Sequence, residues 1–258
     1  VCEIVDARIP VSSRNPDIDV ICGDKPRMIV LNRMDLADPA ATKKWAEYFR
    51  RKGMAVIATD CKSKKGISAF TPAARLACAE KLERDAKRGM NRPLRVMVVG
   101  IPNVGKSTLI NQISGRKSAK AENRPGVTRG KQWVMVDSGL QLLDTPGILW
   151  PKFEDPEVGM MLAYTGAVKE GVIDLEELAY RLMELLHKFY PQTLLERYKV
   201  EALEGTSGWQ LLEMAGRKRG YLVSGGEVNT ERMAKVLLDE FRSGKLGNFT
   251  LEMPEDMV

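Results

Sequence analysis

"RVMVVGIPNVGKSTLINQIS", residues 95–114, is the stretch on which the fold turns. Its apolar, β-branched opening reads as a buried strand, and "STLINQIS" reads as the start of a helix. Between them, Gly100 to Ser107 match G-x-x-x-x-G-K-[ST]. Glycines at these places let backbone N–H groups curl around a β-phosphate, and the helix N-terminus that follows adds a favourable dipole. The stretch Asn103, Val104, Gly105, Lys106, Ser107 and Thr108 is therefore a candidate nucleotide-phosphate loop. Lys106 is expected to reach the β- and γ-phosphates, and the Ser107 hydroxyl to ligate Mg²⁺.

Working outward, further apolar runs bounded by turns recur: "CEIVDA", "RMIVLN", "MAVIATD", "QWVMVDS" and "LQLLDT". Helical stretches at 40–52, 67–90 and 107–115 lie between several of them. Strands alternating with helices predict an α/β domain with a mostly parallel sheet and helices on both faces. "WVMVDSGLQLLD" is instead a hairpin signal and predicts an antiparallel edge. Beyond "LWPKFEDPE" strand signals stop, and helical spacing takes over at 157–170, 174–190, 207–218 and 229–243. This divides the chain into an α/β domain over 1–173, linker helix included, and a small all-helical domain over 174–258.

"LLDTPG", 142–147, places Asp144 at a strand end, where a carboxylate can hold a Mg²⁺ shell, and leaves the Gly147 N–H free to sense a γ-phosphate. Between this motif and the phosphate loop, "GRKSAKAENRPGVTRGKQ" is polar and basic. Thr128 is its best candidate for a ligand of γ-phosphate and Mg²⁺. Lys106, Thr128 and Gly147 form the expected catalytic set. Ile148 follows directly; its side chain cannot orient a water by hydrogen bonding, so slow intrinsic hydrolysis is expected.

"MIVLNRMDLA", 28–37, reads as a strand running into a loop that presents Asn32 and Asp35. Asp35 can accept from guanine N1–H and the 2-amino group. Asn32 can serve the acceptor side of the base and tie loops together, and the stem of Arg33 can lie over the ring. The next strand ends at Thr59 and Asp60, a neighbouring loop able to add a backbone contact to the base. Base loops thus precede the phosphate loop, the reverse of the ordinary GTPase order. That is a circular permutation, which a closed α/β core tolerates because its termini lie at the surface.

The chain has 258 residues, 44% apolar and 29% charged, with net charge +6. No run approaches a membrane span, and no secretory or transit signal opens the chain. Val1 begins inside a strand-like run without an initiator Met, so a short N-terminal piece is expected to be missing. The four cysteines show no C-x-x-C spacing and read as reduced thiols, and the single histidine, His187, reads as structural. Residues 84–131 carry twelve Lys or Arg against two acids, a local surplus of +10, whereas 174–258 sum to −4. Such a field favours polyanions. Arg217, Lys218 and Arg219 in "GRKRG" are bracketed by Gly216 and Gly220, and are candidates for RNA phosphate contact at a helix end; a solvated helix terminus is the alternative.

Through "DARIP" (6–10), "NRMD" (32–35), "GIPNVGKST", "PGVTRG" (125–130), "DTPGILWPKF" (144–153) and "GGEVNTERMAKVLLDEFRSGKLG", the chain resembles the circularly permuted YlqF/RbgA-type ribosome-biogenesis GTPases over nearly its whole length. The resemblance implies a cytoplasmic GTPase, monomeric and without membrane attachment. It would bind GTP and GDP, use Mg²⁺ and associate with the maturing large ribosomal subunit, its C-terminal domain on ribosomal RNA. It also implies a hydrolytic histidine ahead of Val1, and it links Asn103 to K⁺ dependence. Two other readings stay open from the residues alone: a GTPase switch with protein or membrane partners, and a binding module with a degenerate nucleotide site. Asp6 and Arg8 either shape the site or simply end a strand.

Overall fold

The computed structural model describes residues 1–90, 92–115, 132–137, 139–146, 155–168, 173–201 and 204–257. The chain forms two compact units, one of Val1–Lys152 with Glu252–Val258, the other of Phe153–Leu251.

The first unit is built on six strands: β1 (Cys2–Asp6), β2 (Met28–Asn32), β3 (Ala55–Thr59), β4 (Leu94–Val99), β5 (Gln132–Asp137) and β6 (Leu140–Asp144). Their order across the sheet is β3-β2-β1-β4-β6-β5. All pairs are parallel except β5 with β6, the hairpin expected from "WVMVDSGLQLLD". The helices of this unit are α1 (Ile18–Cys22), α2 (Pro39–Arg51), α3 (Phe70–Ala77), α4 (Ala79–Lys87) and α5 (Lys106–Ser114).

Every residue of β1 and β2 is buried, as a run of apolar residues covered on both faces should be. In β4 only Leu94, Val96 and Val98 are buried, and Arg95 and Met97 face out. Asp38 caps α2 by accepting from the backbone N–H groups of Ala40 and Ala41 at 2.7 and 3.0 Å. The helix then lays Trp45 and Phe49, four apart on one face, against Val5, Ile29, Leu31 and Val56. Two details depart from expectation. The stretch 67–90 is not one helix: a 3₁₀ turn at Ile67–Ala69 leads into α3, and Cys78 (φ −112°, ψ 17°) separates α3 from α4. The five-residue α1 has no periodic signature, being shorter than two helical turns.

The second unit holds α6 (Pro156–Tyr164), α7 (Leu175–Phe189), α8 (Pro191–Tyr198), α9 (Gly208–Lys218) and α10 (Thr230–Ser243). Asp174, Ser207 and Asn229 cap α7, α9 and α10, and Ser207 forms a full capping box with Gln210. Helix α8 is hidden in the sequence because Pro191 looks like a terminator after α7; at the first position of a new helix its missing N–H costs nothing. The unit boundary falls at 152/153, ahead of the expected 173/174. The physical reason is visible at α6. Tyr164 meets Phe241 of α10 edge-on, and Arg242 donates to the Tyr164 and Ala163 carbonyls at 3.1 and 2.9 Å, satisfying the end of α6 from α10. His187 lies in the last turn of α7.

Candidate active site

The strand order changes direction at β1, which has β2 on one side and β4 on the other. Ligands of open α/β sheets bind outside the carboxyl ends of the strands at such a switch point. The loops that carry the motifs all leave the sheet there: "NRMD" after β2, Thr59–Cys61 after β3, the phosphate loop after β4 and Asp144 at the end of β6.

Asn32 binds three loops together. Its Nδ2 donates to the Val104 carbonyl at 2.7 Å, and its Oδ1 accepts from the Thr59 hydroxyl at 3.1 Å and the Cys61 N–H at 3.2 Å. The side chain is buried and its oxygen is fully engaged by the protein. These bonds show the loop-tying role expected of Asn32. Gly105 allows this closeness: a Cβ there would lie 2.4 Å from Asn32 Nδ2. Gly100 is equally constrained, since its Cβ would fall 2.5 Å from the Ile4 carbonyl oxygen.

Arg33, at φ 60°, donates from its guanidinium to the Asn103 carbonyl at 2.8 Å, so it too fastens the base loop to the phosphate loop. Its Nε lies 3.8 Å from Asp6 Oδ2. Asp6 in turn takes the fully buried Arg8 in a two-point pair of 3.0 and 2.8 Å. Burial pushes the Asp6 carboxyl up, but the Arg8 charge and hydrogen bonds, with Arg33 beyond, outweigh it and hold the group below the usual carboxylate range. Asp35 is exposed at the loop tip, its carboxyl pushed up by partial burial and by the Asp60 charge. Asp60 spends its own carboxylate on the backbone N–H groups of Lys62 and Ser63 at 2.8 and 3.2 Å. Thr59 is fully buried, and in this loop the N–H groups of Asp60 and Cys61 are taken by the Lys65 carbonyl and by Asn32 Oδ1 at 3.0 and 3.2 Å.

In the phosphate loop, Asn103 adopts φ 59° and Val104 is buried. Lys106 and Ser107 open α5, with Thr108 half-buried behind them. Lys106 Nζ donates to the Gly100 and Ile101 carbonyls at 3.0 and 2.8 Å. Burial pulls its pKa down to about 8, against the upward pull of Asp144. Ser107 Oγ donates to Asp144 Oδ2 at 3.4 Å. Among the described residues the other carboxylate oxygen, Asp144 Oδ1, is buried without a hydrogen-bond partner, and burial pushes this carboxyl above its ordinary range despite Lys106 nearby. A hydroxyl beside a buried carboxylate with an unused oxygen is a donor set for a hard divalent cation. Among the described residues no cluster of three or more His, Cys, Asp or Glu side chains could hold a metal ion by itself. Thr128, Gly147 and Ile148 lie outside the described residues.

A family described as "50S ribosome-binding GTPase" matches residues 95–198, starting at β4, so the base loop lies ahead of the matched segment. The "Ribosome biogenesis GTPase A" of Bacillus cereus is 43% identical over 99% of this chain and 86% of its own length. The chain belongs to the ribosome biogenesis GTPase A family. Two solved structures match this GTPase over nearly their full length. GDP-bound YlqF superposes with TM-score 0.70 at 28% identity, covering 99% of this chain and 95% of the other. GNP-bound YlqF from T. maritima gives 0.67 at 28% identity, covering 98% and 92%.

The sequence pattern named the phosphate, base and Asp144 positions, but it missed the partners that assemble them. The carbonyls of Val104 and Asn103 and the N–H of Cys61 are backbone groups without a spacing signature; Asp6, left by the sequence between shaping the site and ending a strand, pairs with Arg8 and lies 3.8 Å from Arg33. In the second unit, Arg217 and Lys218 are exposed in the last turn of α9, with Arg217 3.5 Å from Glu213. Arg219 is different. Its guanidinium lies 5.2 Å from the Tyr198 ring centroid and 3.5 Å from Glu240, which also takes Arg197 and the Tyr198 hydroxyl. Arg219 is thus engaged within its own unit, while its two neighbours point outward.

Proposed function

We propose that the chain is a circularly permuted, cytoplasmic, monomeric GTPase that acts late in assembly of the large ribosomal subunit. The helical unit contacts ribosomal RNA through Arg217 and Lys218, and the assembling particle stimulates hydrolysis. The observation that carries the nucleotide reading is the pair of bonds that lock "NRMD" onto the phosphate loop, Asn32 to Val104 and Arg33 to Asn103. They set "NRMD" beside a phosphate loop that follows it in the chain, which supports reading it as the base loop. In this reading Asp35 takes guanine N1–H and the 2-amino group, and the Thr59–Asp60 loop lies alongside the base. The N–H groups of residues 103–108 face the phosphates.

Lys106 exchanges its carbonyl partners for β- and γ-phosphate oxygens. Ser107 and Asp144, with its unused Oδ1, would hold Mg²⁺, together with Thr128. Bound there, the ion supplies neutralisation of charge on the β- and γ-phosphate oxygens. Gly147 senses the γ-phosphate through its N–H. For K⁺, the single amide oxygen of Asn103 is an incomplete donor set, and the reaction is not routed through that ion. Turnover in KCl against NaCl at equal ionic strength decides whether it takes part.

The ribosomal assignment is supported by the relative's name, by the +10 surplus of residues 84–131 and by Ile148, which cannot orient an attacking water through a hydrogen bond. Steady-state turnover with purified large and small subunits tests it. Selective acceleration by the large subunit is expected. Equal acceleration by both, or none by either with full-length protein, would turn the assignment toward a switch with protein partners.

A further inference from the structure

The last segment of the chain belongs to the first unit, which it joins at Glu252. Glu252 accepts from the Val11 N–H at 2.6 Å, from the Ser12 N–H at 3.0 Å and from the Ser12 hydroxyl. Its own carbonyl accepts from Trp45 Nε1 at 2.8 Å, in the core of α2. Glu252 thereby grips the loop between β1 and α1 from residues that follow the whole helical unit.

The gripped loop leads back to the nucleotide loops through hydrogen bonds, the Ser12–Ser13 peptide link and one longer charge contact. Ser13 Oγ donates to the Ile9 carbonyl at 2.6 Å and accepts from the Asp6 N–H at 2.9 Å. Asp6 holds Arg8 and lies 3.8 Å from Arg33 Nε, and Arg33 reaches the Asn103 carbonyl at 2.8 Å. Burying Asp6 and Arg8 together costs desolvation of two charges, which their mutual attraction need not recover. Arg33 and Asn103 both sit at positive φ, where non-glycine residues are strained unless their surroundings hold them.

From these contacts we infer that Glu252 is a positioning residue for the nucleotide site. By clamping Val11 and Ser12 it fixes the loop that sets Asp6 and Arg8, and these orient Arg33 toward the phosphate loop. The end of the chain is thereby a working part of the GTPase unit.

Fluorescent GDP titration and steady-state GTP turnover of Glu252→Ala, Glu252→Gln and Ser12→Ala test this in the full chain. A positioning role raises the GDP Kd and the GTP KM by about ten-fold in Glu252→Ala and less in the two milder variants, with kcat held within about two-fold, the signature of weakened uniform binding. The effect should vanish in an Arg33→Ala background, because the route runs through Arg33. Lys44→Ala, which breaks only the exposed 2.8 Å pair with Glu255, should leave affinity unchanged. Unaltered Kd and KM in the folded variants, or an effect that adds fully to that of Arg33→Ala, overturns the inference. If Glu252→Ala does not fold, Glu252→Gln and Ser12→Ala carry the same decision. None of these readouts involves ribosomes, so the result stands apart from the ribosomal assignment.

Discussion

Arg33 and Asn103, 70 positions apart in the chain, are joined by a 2.8 Å hydrogen bond from guanidinium to backbone carbonyl. Each residue sits in the left-handed region, at φ 60° and 59°. Two strained turns therefore brace one another, one at the base loop and one at the phosphate loop. Neither loop can shift relative to the other without disturbing this bond, so the spacing between the proposed base and phosphate loops is held by the protein's own contacts.

Asp35→Asn should exchange base preference. The exposed carboxylate accepts from two guanine donors in the proposed site, and an amide there matches a xanthine edge instead. Removing a charge-assisted two-point interaction costs about 2–3 kcal/mol of GTP affinity. Parallel titrations with GTP and xanthosine triphosphate check this; equal weakening for both nucleotides would remove Asp35 from base reading.

Asn32→Ala should damage fold and site together. It strands the Val104 carbonyl and the Cys61 N–H, both met by Asn32 in the buried interior of the loops. Two buried orphans lower stability by about 2–4 kcal/mol. Urea unfolding with and without GDP measures it, and nucleotide affinity should fall in the same variant.

Lys106 should tie nucleotide binding to proton uptake. Burial lowers its pKa to about 8 from the ordinary lysine range, so above that pH the folded protein holds fewer protons on this group than an unfolded chain does. The free protein then gains stability from this lysine as pH rises from about 8 toward the ordinary lysine value. A triphosphate favours the ammonium, so binding at pH 8.5 takes up a proton, and affinity falls as pH rises. Calorimetry in buffers of different ionisation enthalpy detects the uptake; none at pH 8.5 would mean that Lys106 stays charged in the free site.

The three cations of "GRKRG" should separate. Arg219→Ala removes a partner of Glu240, whose side chain is 10% exposed, and should cost about 0.5–1.5 kcal/mol of stability, discounted for partial solvent screening. Glu240 is held below the usual carboxylate range chiefly by its hydrogen bond to Arg197. Its contribution is present above the unfolded glutamate pKa and is lost as pH falls through the folded value, so the gap between Arg219→Ala and the parent should close in acid. Arg217→Ala with Lys218→Ala should leave stability within about 0.5 kcal/mol. In RNA binding the same pair should lower the salt slope by up to about 0.9 for each phosphate no longer neutralised. Thermal melts across pH and filter binding across salt read the two effects.

Much of this protein is legible in its sequence, because its information there is local. A phosphate loop needs glycines and a lysine at fixed spacing between a strand and a helix, and runs of β-branched residues mark buried strands whatever surrounds them. All six strands and the hairpin edge follow from such patterns. Elements without a period of their own do not: the five-residue α1, and α8 behind Pro191.

What the sequence could not decide was which distant groups meet. That Asn32 spends its oxygen on Thr59 and Cys61, that Arg219 turns to Glu240 while Arg217 points outward, and that Glu252 closes on Ser12 across 240 residues are outcomes of packing. A hydrogen bond between loops carries no spacing rule along the chain. Motif spacing therefore determined the kind of site, and the tertiary structure alone determined what holds that site in register.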